Sequence, residues 1–476
     1  MATLQLLSSI EKSKGLKITP PVSHCLVSHC LHPLVPGSAM LQGHGGAGAA
    51  RDAVSPGHRS VLGREARDEI MPALPRLEEA TGTCQAVLSC FFSLRAFRDV
   101  TNTSWRWFST GGHHPMQEGE VLNARYQVLH KLGCGTFATV WLCQDMRRKK
   151  QVAVKVLKSR EGFAETAQDE VAFLRCVSCM KKKDVAGENI VCLLDDFRMI
   201  GENGFHACLV FEVLGPSIRC LMGNYTAQGL PLPFVKKSLQ QVLAGLHFLH
   251  KCCRIIHADI KPENILLCGC SKRLQRLLMD TLDCDQGTEA RLKGAGGDLG
   301  NQLEESDVMS IEVKIADLGS ACWTYKPFSK EIQTQPYRAL EVLLGLDYGT
   351  PADIWSTACL AFEMATGDRL FDPQPGKYFS RDDDHVARII EVLGRIPPEI
   401  VFSWNKSTKF FSRPGALLRL SRLFPRSLPG ILADRHGWTP REAAAFAAFL
   451  LPALHYEPER RASAAQSLRH AWIAAP

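Results

Sequence analysis

The order of apolar patterns along the chain is the strongest constraint on its fold. Residues 151–157 alternate strictly, as in a half-buried β-strand, and residues 126–132 and 138–143 are predicted as two further strands. Farther along, apolar residues recur at helical spacing over 235–249, and residues 354–364 are apolar on nearly all sides, as in a buried helix. Strands followed by helices predict an α+β protein, with a small β-rich lobe before a larger helical lobe.

A lysine and a glycine-rich loop give the first indication of chemistry. Lys155 lies on the strand 151–157, on the face opposite to the three valines of that strand. An inward lysine is unfavourable unless it meets an anion. Residues 133–140 form a glycine-rich loop just before it, and such loops bring backbone N–H groups close to phosphates. A tight hairpin is the alternative interpretation, because Ala138 replaces the third glycine of G-x-G-x-x-G.

Composition excludes several classes of protein. The 476 residues carry 56 basic and 49 acidic side chains, and this net charge of +7 is too small and too dispersed for a nucleic-acid-binding protein. No apolar run is long enough for a transmembrane helix, and the start lacks a secretory signal pattern. The 18 cysteines are therefore expected to be reduced thiols in an intracellular protein, with no membrane and no direct nucleic-acid partner.

Residues 257–264 carry the most specific motif, H-A-D-I-K-P-E-N. It matches the H-x-D-x-K-P-x-N catalytic loop of protein kinases at each fixed position, and the chain resembles that family over about 120–476. Three further motifs follow the family's order: V-A-V-K ending at Lys155, D-L-G starting at Asp317 and A-L-E ending at Glu341. The resemblance also implies an ion pair of Glu341 with Arg461.

The resemblance implies the bilobal eukaryotic protein-kinase fold with a non-conforming N-terminal extension. The extension, residues 1–119, shows no sustained period and is predicted to be mostly disordered, with one helix at 84–97. The N-lobe is expected at 120–214 and the C-lobe at 215–476. The separation between catalytic loop and D-L-G is far longer than a strand–turn–strand needs, so an insert is expected at about 268–310.

The resemblance assigns catalytic roles to four side chains. Asp259 would accept the proton of the substrate hydroxyl, and Lys261 would reach the transferring phosphoryl group. Lys155 would hold the nucleotide phosphates and pair with Glu170, a residue for which a solvated helix face is the alternative. Asp353 is expected to brace the catalytic loop from below.

ATP and Mg²⁺ are the cofactors that the resemblance implies. The metal ligands would be Asn264 and Asp317. The residues expected around ATP are Leu132, Gly133, Cys134, Gly135, Thr136, Phe137, Ala138, Thr139, Val140, Ala153, Lys155, Glu212, Leu214 and Leu266.

Several stretches are similar to SR-protein kinases, which phosphorylate serines in Arg/Ser-rich splicing factors. They are G-G-H-H-P at 111–115, L-D-D-F at 194–197, V-F-E-V-L-G at 210–215, G-L-P-L-P at 229–233 and R-D-D-D-H at 381–385. This resemblance implies a serine/threonine kinase with a role in mRNA splicing regulation, a monomer with Arg/Ser-rich partners, present in cytoplasm and nucleus. A different CMGC-group kinase and a catalytically weak kinase-fold scaffold that binds Arg-rich partners remain the alternatives.

Two departures bear on regulation and substrate choice. Most kinases have an arginine before the catalytic aspartate, where it binds an activation-loop phosphate, but this chain has Ala258. We therefore expect activity without activation-loop phosphorylation. Residues 335–336 read Gln-Pro in place of an Arg-containing pair, which puts serine positioning and substrate preference in doubt.

An acidic cluster lies where the resemblance locates a docking groove for Arg-rich peptides. Asp384 and Glu391 are two helical turns apart and therefore lie on one helix face. Carboxylates there can bind arginine side chains as bidentate pairs. Asp368 is the third expected docking acid, and a solvated surface is the alternative interpretation of the cluster.

Overall fold

The computed structural model describes residues 112–159, 163–182, 184–223, 229–268, 309–327, 329–402, 409–412, 416–420 and 422–474. All of these belong to one compact unit, Leu88–Pro476. The predictions for residues 1–111, including the helix at 84–97, and for the insert between 269 and 308 lie outside the described residues.

An antiparallel sheet forms the small lobe. Its strands are β1 Val121–Leu122, β2 Tyr126–Cys134, β3 Ala138–Asp145, β4 Lys150–Leu157, β5 Leu193–Gly201 and β6 Gly204–Phe211. They pair in the order β1-β2-β3-β4-β6-β5. The three strands predicted from the sequence are all present, each one or two residues longer than predicted. Helix α1, Phe163–Lys181, completes this lobe between β4 and β5.

The alternation of β4 separates the core of the small lobe from the cleft. Val152, Val154 and Val156 are buried in one apolar cluster with Trp141 and other strand residues. Lys155 points to the opposite face because successive side chains of a strand alternate. Its strand neighbours on the two sides are Val140 of β3 and Leu209 of β6. The lysine therefore lies centrally on the sheet face that lines the cleft.

The larger lobe is helical. Its helices are α2 Ile218–Gly223, α3 Leu232–Phe248, α4 Leu340–Leu343, α5 Pro351–Thr366, α6 Arg381–Leu393, α7 Pro398–Phe402, α8 Leu428–His436, α9 Pro440–Ala453, α10 Ala464–Leu468 and α11 Ala471–Ala474. A π-helical turn, Leu249–Cys253, continues α3. The apolar stripe of α3 and nearly all of α5 are buried in one large core, as the two helical patterns predicted. Among the described residues, every helix is too short or too polar to cross a membrane.

Two short antiparallel strand pairs flank the predicted catalytic motifs. β7 Ile255–Ile256 pairs with β10 Cys322–Trp323, and β8 Ile265–Cys268 pairs with β9 Glu312–Ile315. The H-A-D-I-K-P-E-N loop connects β7 to β8, and the D-L-G motif lies between β9 and β10. The catalytic loop and the D-L-G motif therefore lie at the same end of the two strand pairs. This arrangement confirms the predicted α+β fold with a strand-rich lobe before a helical lobe.

Residues 112–119, which the sequence assigned to the extension, lie against the small lobe. The backbone of Gly112 exchanges two hydrogen bonds with Ser159, of 2.9 and 3.0 Å. Asn203 Nδ2 donates to the carbonyl oxygen of His113 at 2.7 Å. Residues of the predicted extension therefore contact the small lobe from Gly112 onwards. The sequence did not indicate these contacts because an isolated bridge produces no periodic pattern.

Candidate active site

Lys155 contacts two carboxylates in the cleft. Its Nζ donates to Glu170 Oε1 at 2.8 Å and to Asp317 Oδ1 at 2.7 Å. Glu170 lies on α1 with its side chain 3% exposed, whereas the Asp317 side chain is 50% exposed. The inward Lys155 therefore meets two anions, Glu170 on α1 and Asp317 in the D-L-G motif. Gly319 leaves no side chain beside this cluster, since a Cβ there would lie 3.1 Å from Asp317 Oδ1.

Glu170 and Asp317 keep Lys155 in its ammonium form. Burial lowers the pKa of Lys155, but Glu170 and Asp317 outweigh burial, so its net pKa is raised. Burial raises the pKa of Asp317, but the adjacent Lys155 lowers it by more, so its net pKa is below the ordinary value. At neutral pH the cleft therefore presents one cation suited to phosphate oxygens and one accessible carboxylate suited to a metal ion.

Asp259 is held by the activation segment as well as by its own loop. Its Oδ2 accepts from Lys261 Nζ at 2.6 Å, and its Oδ1 accepts from Thr334 Oγ1 at 2.7 Å. Lys261 Nζ also donates to Thr334 Oγ1 at 2.9 Å, which closes a triangle of polar contacts. Asp259 is thus oriented by two groups from different parts of the chain. Sequence reasoning missed Thr334, and its position directly before the unusual Gln335-Pro336 pair was the available signal.

A buried aspartate fixes the backbone under the catalytic loop. Asp353, at the start of α5, accepts from the backbone N–H groups of His257 and Ala258, each at 2.8 Å. It also contacts His250 Nε2 at 2.7 Å. Burial raises the pKa of Asp353, but these contacts outweigh burial and keep its net pKa low. Ala258 has φ of +66°, a left-handed conformation, and Asp353 stabilises the backbone at this strained residue.

Gln333 anchors the activation segment. Its side chain is buried and donates to the Ala352 carbonyl oxygen and to Ser356 Oγ, both at 2.8 Å. Its Oε1 accepts from Ala339 N at 2.9 Å, and its own N–H donates to the Ala258 carbonyl oxygen at 2.9 Å. Neutral hydrogen bonds therefore join the activation segment to the catalytic loop at Ala258, the position where most kinases have an arginine. Sequence reasoning missed Gln333.

The end of the activation segment is fixed by a buried ion pair. Arg461 Nη1 lies 2.7 Å from Glu341 Oε1, and Arg461 Nη2 lies 2.9 Å from Glu341 Oε2. Both side chains are at most 1% exposed. The Arg461 guanidinium also lies over the Trp355 ring, 5.1 Å from its centroid. The ion pair expected from the sequence is therefore present, in the bidentate geometry that arginine favours.

Asn264 and Asp317 lie together where a divalent cation would bind. Ala316 N donates to the Asn264 carbonyl oxygen at 2.9 Å, which joins the two motifs. The Asn264 amide nitrogen donates to the Asp259 carbonyl oxygen at 2.8 Å, so its amide oxygen is the group that can meet a cation. The described residues contain no group of three or more His, Cys, Asp or Glu side chains that could hold a metal. Two oxygen ligands fit Mg²⁺, which usually completes its shell with phosphates and water.

The residues expected around the nucleotide come from the sheet and from the connection between the lobes. They lie on β2, in the turn between β2 and β3, on β3, on β4, after β6 and on β8. A Cβ on Gly133 would meet no described atom within 4 Å, so the fold itself leaves room there for a ligand. The Glu212 carboxylate receives two 2.8 Å hydrogen bonds from Lys314 Nζ. Its side chain therefore fixes the connection between the lobes.

The predicted docking acids lie on and beside α6, but each has a partner within the chain. Asp384 Oδ2 lies 2.7 Å from Arg388 Nε. Glu391 Oε1 accepts from Phe424 N at 2.9 Å, and Asp368 Oδ2 lies 3.4 Å from Arg435 Nη2.

One acid of the same cluster has a structural role in the helix. Asp383 forms the capping box of α6 with Ser380, and its Oδ1 accepts from Arg419 at 2.8 Å.

The fold and the arrangement of Lys155, Asp259 and Asp317 are those of a protein kinase. The family model described as the protein kinase domain matches residues 126–473. Such a domain implies ATP and a divalent metal ion.

Three relatives identify the family within that class. SRSF protein kinase 3 of Homo sapiens is 36% identical, over 77% of this chain and 89% of its own. Serine/threonine-protein kinase SRPK of Physarum polycephalum is 39% identical, over 77% and 90%. Protein kinase dsk1 of Schizosaccharomyces pombe is 33% identical, over 76% and 83%. The chain belongs to the SR-protein kinase family of serine/threonine protein kinases.

Proposed function

We propose that this chain transfers the γ-phosphoryl group of ATP to serines of Arg/Ser-rich proteins, with Mg²⁺ as its divalent cation, and so regulates mRNA splicing. The observation that carries the proposal is the contact of Asp259 with both Lys261 and Thr334 at hydrogen-bond distance. Two relatives are named SRSF protein kinase 3 and serine/threonine-protein kinase SRPK, and these names support SR proteins as the substrate class.

The chain's own residues act by positioning and by charge. Lys155 binds phosphate oxygens while Glu170 holds its ammonium group in place. Asp259 accepts the hydrogen bond of the serine hydroxyl and orients it for in-line attack, and Lys261 offsets the charge that develops on the transferring group. Mg²⁺, when bound by Asn264 and Asp317, neutralises charge on the phosphate oxygens. No covalent intermediate on the protein is needed.

Arg-rich segments of the substrate would bind the acids on and beside α6. Asp384 and Glu391 lie on one face of this helix, and Asp368 follows the end of α5. A carboxylate takes an arginine in a bidentate pair, and several such pairs in a row select a basic peptide. We infer that the substrate is held at this groove while a nearby serine reaches Asp259.

The kinase is proposed to be active without phosphorylation of its activation segment. Gln333 and Thr334 already hold that segment against the catalytic loop, and Ala258 offers no cation to a phosphate. We further propose a monomer, without nucleic-acid or membrane contacts, that is present in cytoplasm and nucleus. Sedimentation of the purified chain tests the monomer, and imaging of a fluorescent fusion tests the localisation.

A radiolabelled ATP assay tests the function. The wild-type chain should label an Arg-Ser repeat peptide and should label a Ser-Pro peptide much more slowly. Asp259→Asn should lose labelling of both, because the amide cannot accept the hydroxyl proton. Preferred labelling of the Ser-Pro peptide would indicate a different CMGC-group kinase. Binding of the Arg-Ser peptide without any label transfer would indicate a scaffold.

A further inference from the structure

The groove beside α6 is lined by cations as well as by acids. A cavity of about 470 Å³ lies there, and Asp368, Asp372, Gln374, Arg369, Arg388 and Arg435 are among its lining residues. Each of its two aspartates lies within 4 Å of one of these arginines. A groove that was only acidic would attract any cation. In this groove the arginines already pair with the aspartates, so a cationic ligand must compete with them.

Arg388 also lines the cavity, but it pairs with Asp384 of α6 and not with one of the two lining aspartates. It lies one helical turn after Asp384 and before Glu391, so it projects between the two docking acids on the same face of α6. Its Nε lies 2.7 Å from Asp384 Oδ2, while the Asp384 side chain is 15% exposed and that of Arg388 is 41% exposed. The same oxygen also accepts from Gln374 N at 2.8 Å, so the carboxylate is largely covered by two groups, of which only Arg388 is a mobile and well-exposed side chain.

His436 lies beside Asp368 at the edge of the groove. His436 is 8% exposed, and its Nε2 has no hydrogen-bond partner among the described residues. This atom lies 3.9 Å from Asp368 Oδ2, beyond hydrogen-bond distance. Arg435 Nη2 lies 3.4 Å from Asp368 Oδ2, farther than the 2.7 Å between Arg388 Nε and Asp384 Oδ2. Asp368 is also 49% exposed, so a substrate arginine can reach it.

We propose that Arg388 is a specificity-determining residue, which occupies Asp384 until a substrate arginine displaces it. This inference rests on the proposed docking of Arg-rich peptides in the groove. A peptide with one arginine gains little, because it exchanges one ion pair for another and meets the displaced Arg388 as a like charge. A peptide with several adjacent arginines also engages Glu391 and Asp368, and these additional pairs favour the exchange. Arg388 thus selects for arginine-dense segments.

Binding of labelled peptides, measured by fluorescence anisotropy at low ionic strength, tests the inference. Arg388→Gln removes the internal competitor and should tighten the Kd for a single-arginine peptide about three- to tenfold, as expected for loss of one partly exposed ion pair and one like charge. The gain should be smaller for an Arg-Ser repeat, and it should shrink as salt rises. Arg175→Gln is the matched control, since it breaks an exposed 2.8 Å pair with Asp196 on the small lobe and changes the net charge equally.

The variant Asp384→Asn distinguishes the proposed docking site from the proposed role of Arg388. If docking is as proposed, this variant binds the Arg-Ser repeat more weakly, and adding Arg388→Gln to it brings no gain. If Asp384→Asn binds the repeat like wild type, the proposed docking site is wrong. If Asp384→Asn weakens binding but Arg388→Gln matches wild type and the Arg175→Gln control, docking stands and the role of Arg388 is overturned. Equal melting temperatures exclude misfolding as the cause.

Discussion

Replacing Gln333 with alanine tests whether neutral hydrogen bonds hold the activation segment in its active position. The side chain is 6% exposed and makes three hydrogen bonds, of 2.8, 2.8 and 2.9 Å, to Ala352, Ser356 and Ala339. Ala339 is itself fully buried. The substitution therefore leaves a buried backbone N–H without its partner.

The expected loss follows from these contacts. An orphaned buried N–H costs about 1–3 kcal/mol, and each of the other two bonds contributes about 0.5–1.5 kcal/mol. Together they predict a loss of about 2–6 kcal/mol in the free energy that holds the segment. Gln333 has φ of +68°, so Gln333→Gly should recover up to about 1 kcal/mol of that loss, because glycine adopts this conformation without strain.

Three measurements check this prediction. Urea unfolding gives the change in free energy, limited proteolysis reports local release of residues 329–339, and the kcat for an Arg-Ser peptide reports the alignment of Asp259. We expect Gln333→Ala to lower kcat and to speed cleavage of the segment, with Gln333→Gly milder in both. Gln151→Ala, an exposed glutamine on β4, is the control. A change below about 0.5 kcal/mol with unchanged kcat and proteolysis would refute the anchoring role.

Three further predictions follow from other contacts. Glu341→Ala should destabilise the large lobe by about 3–5 kcal/mol in urea unfolding, because Arg461 is left as an unpaired buried charge; an effect below 1 kcal/mol would contradict this. Burial lowers the pKa of His385 to about 3, with Arg338 and Arg388 adding to the shift. The unfolded state therefore binds this proton first, and His385 contributes stability above pH 6.5 that is lost as the pH falls towards 3, with a slope of up to about 1.4 kcal/mol per unit. His385→Gln should flatten the unfolding curve between these limits, and an unchanged pH dependence would argue against it. Phosphatase treatment of the purified kinase should leave its rate on an Arg-Ser peptide unchanged, since Gln333 and Ala258 provide no phosphate receptor; a large drop would show that one exists elsewhere.

Local periodicity predicted the elements of the fold well. The alternation of residues 151–157 put Lys155 on the cleft face, and the helical spacing of 235–249 identified α3. Both patterns depend on residues that are neighbours in sequence, because the pleat of a strand and the turn of a helix have fixed periods. Residues 112–119 contact the small lobe through one isolated bridge and single hydrogen bonds, which have no period, and the sequence pattern therefore did not indicate these contacts.

The polar contacts of the site were harder to predict because they join distant residues. Thr334 reaches Asp259, and Gln333 reaches α5, across loops whose geometry no sequence pattern specifies. The ion pair of Glu341 with Arg461 was predicted only because the family motif named both ends. The structural role of Asp383 could have been predicted, because a serine three residues before an acid is a capping-box pattern. This pattern distinguishes Asp383, which caps α6, from the acids expected to dock the substrate.

The proposed docking groove and the contacts of the activation segment together predict the step at which this kinase selects its substrate. Gln333 and Thr334 hold the catalytic groups in place without a phosphate, so the chemical step is prepared before any substrate arrives. An enzyme discriminates by the ratio of its kcat/KM values, and a prepared active site treats every correctly placed serine alike. Discrimination must then come from which peptide reaches the site, that is, from the groove in which Arg388 covers Asp384. Variants in the groove should therefore change KM and the preference between peptides, while variants of Gln333 should change kcat for all peptides alike.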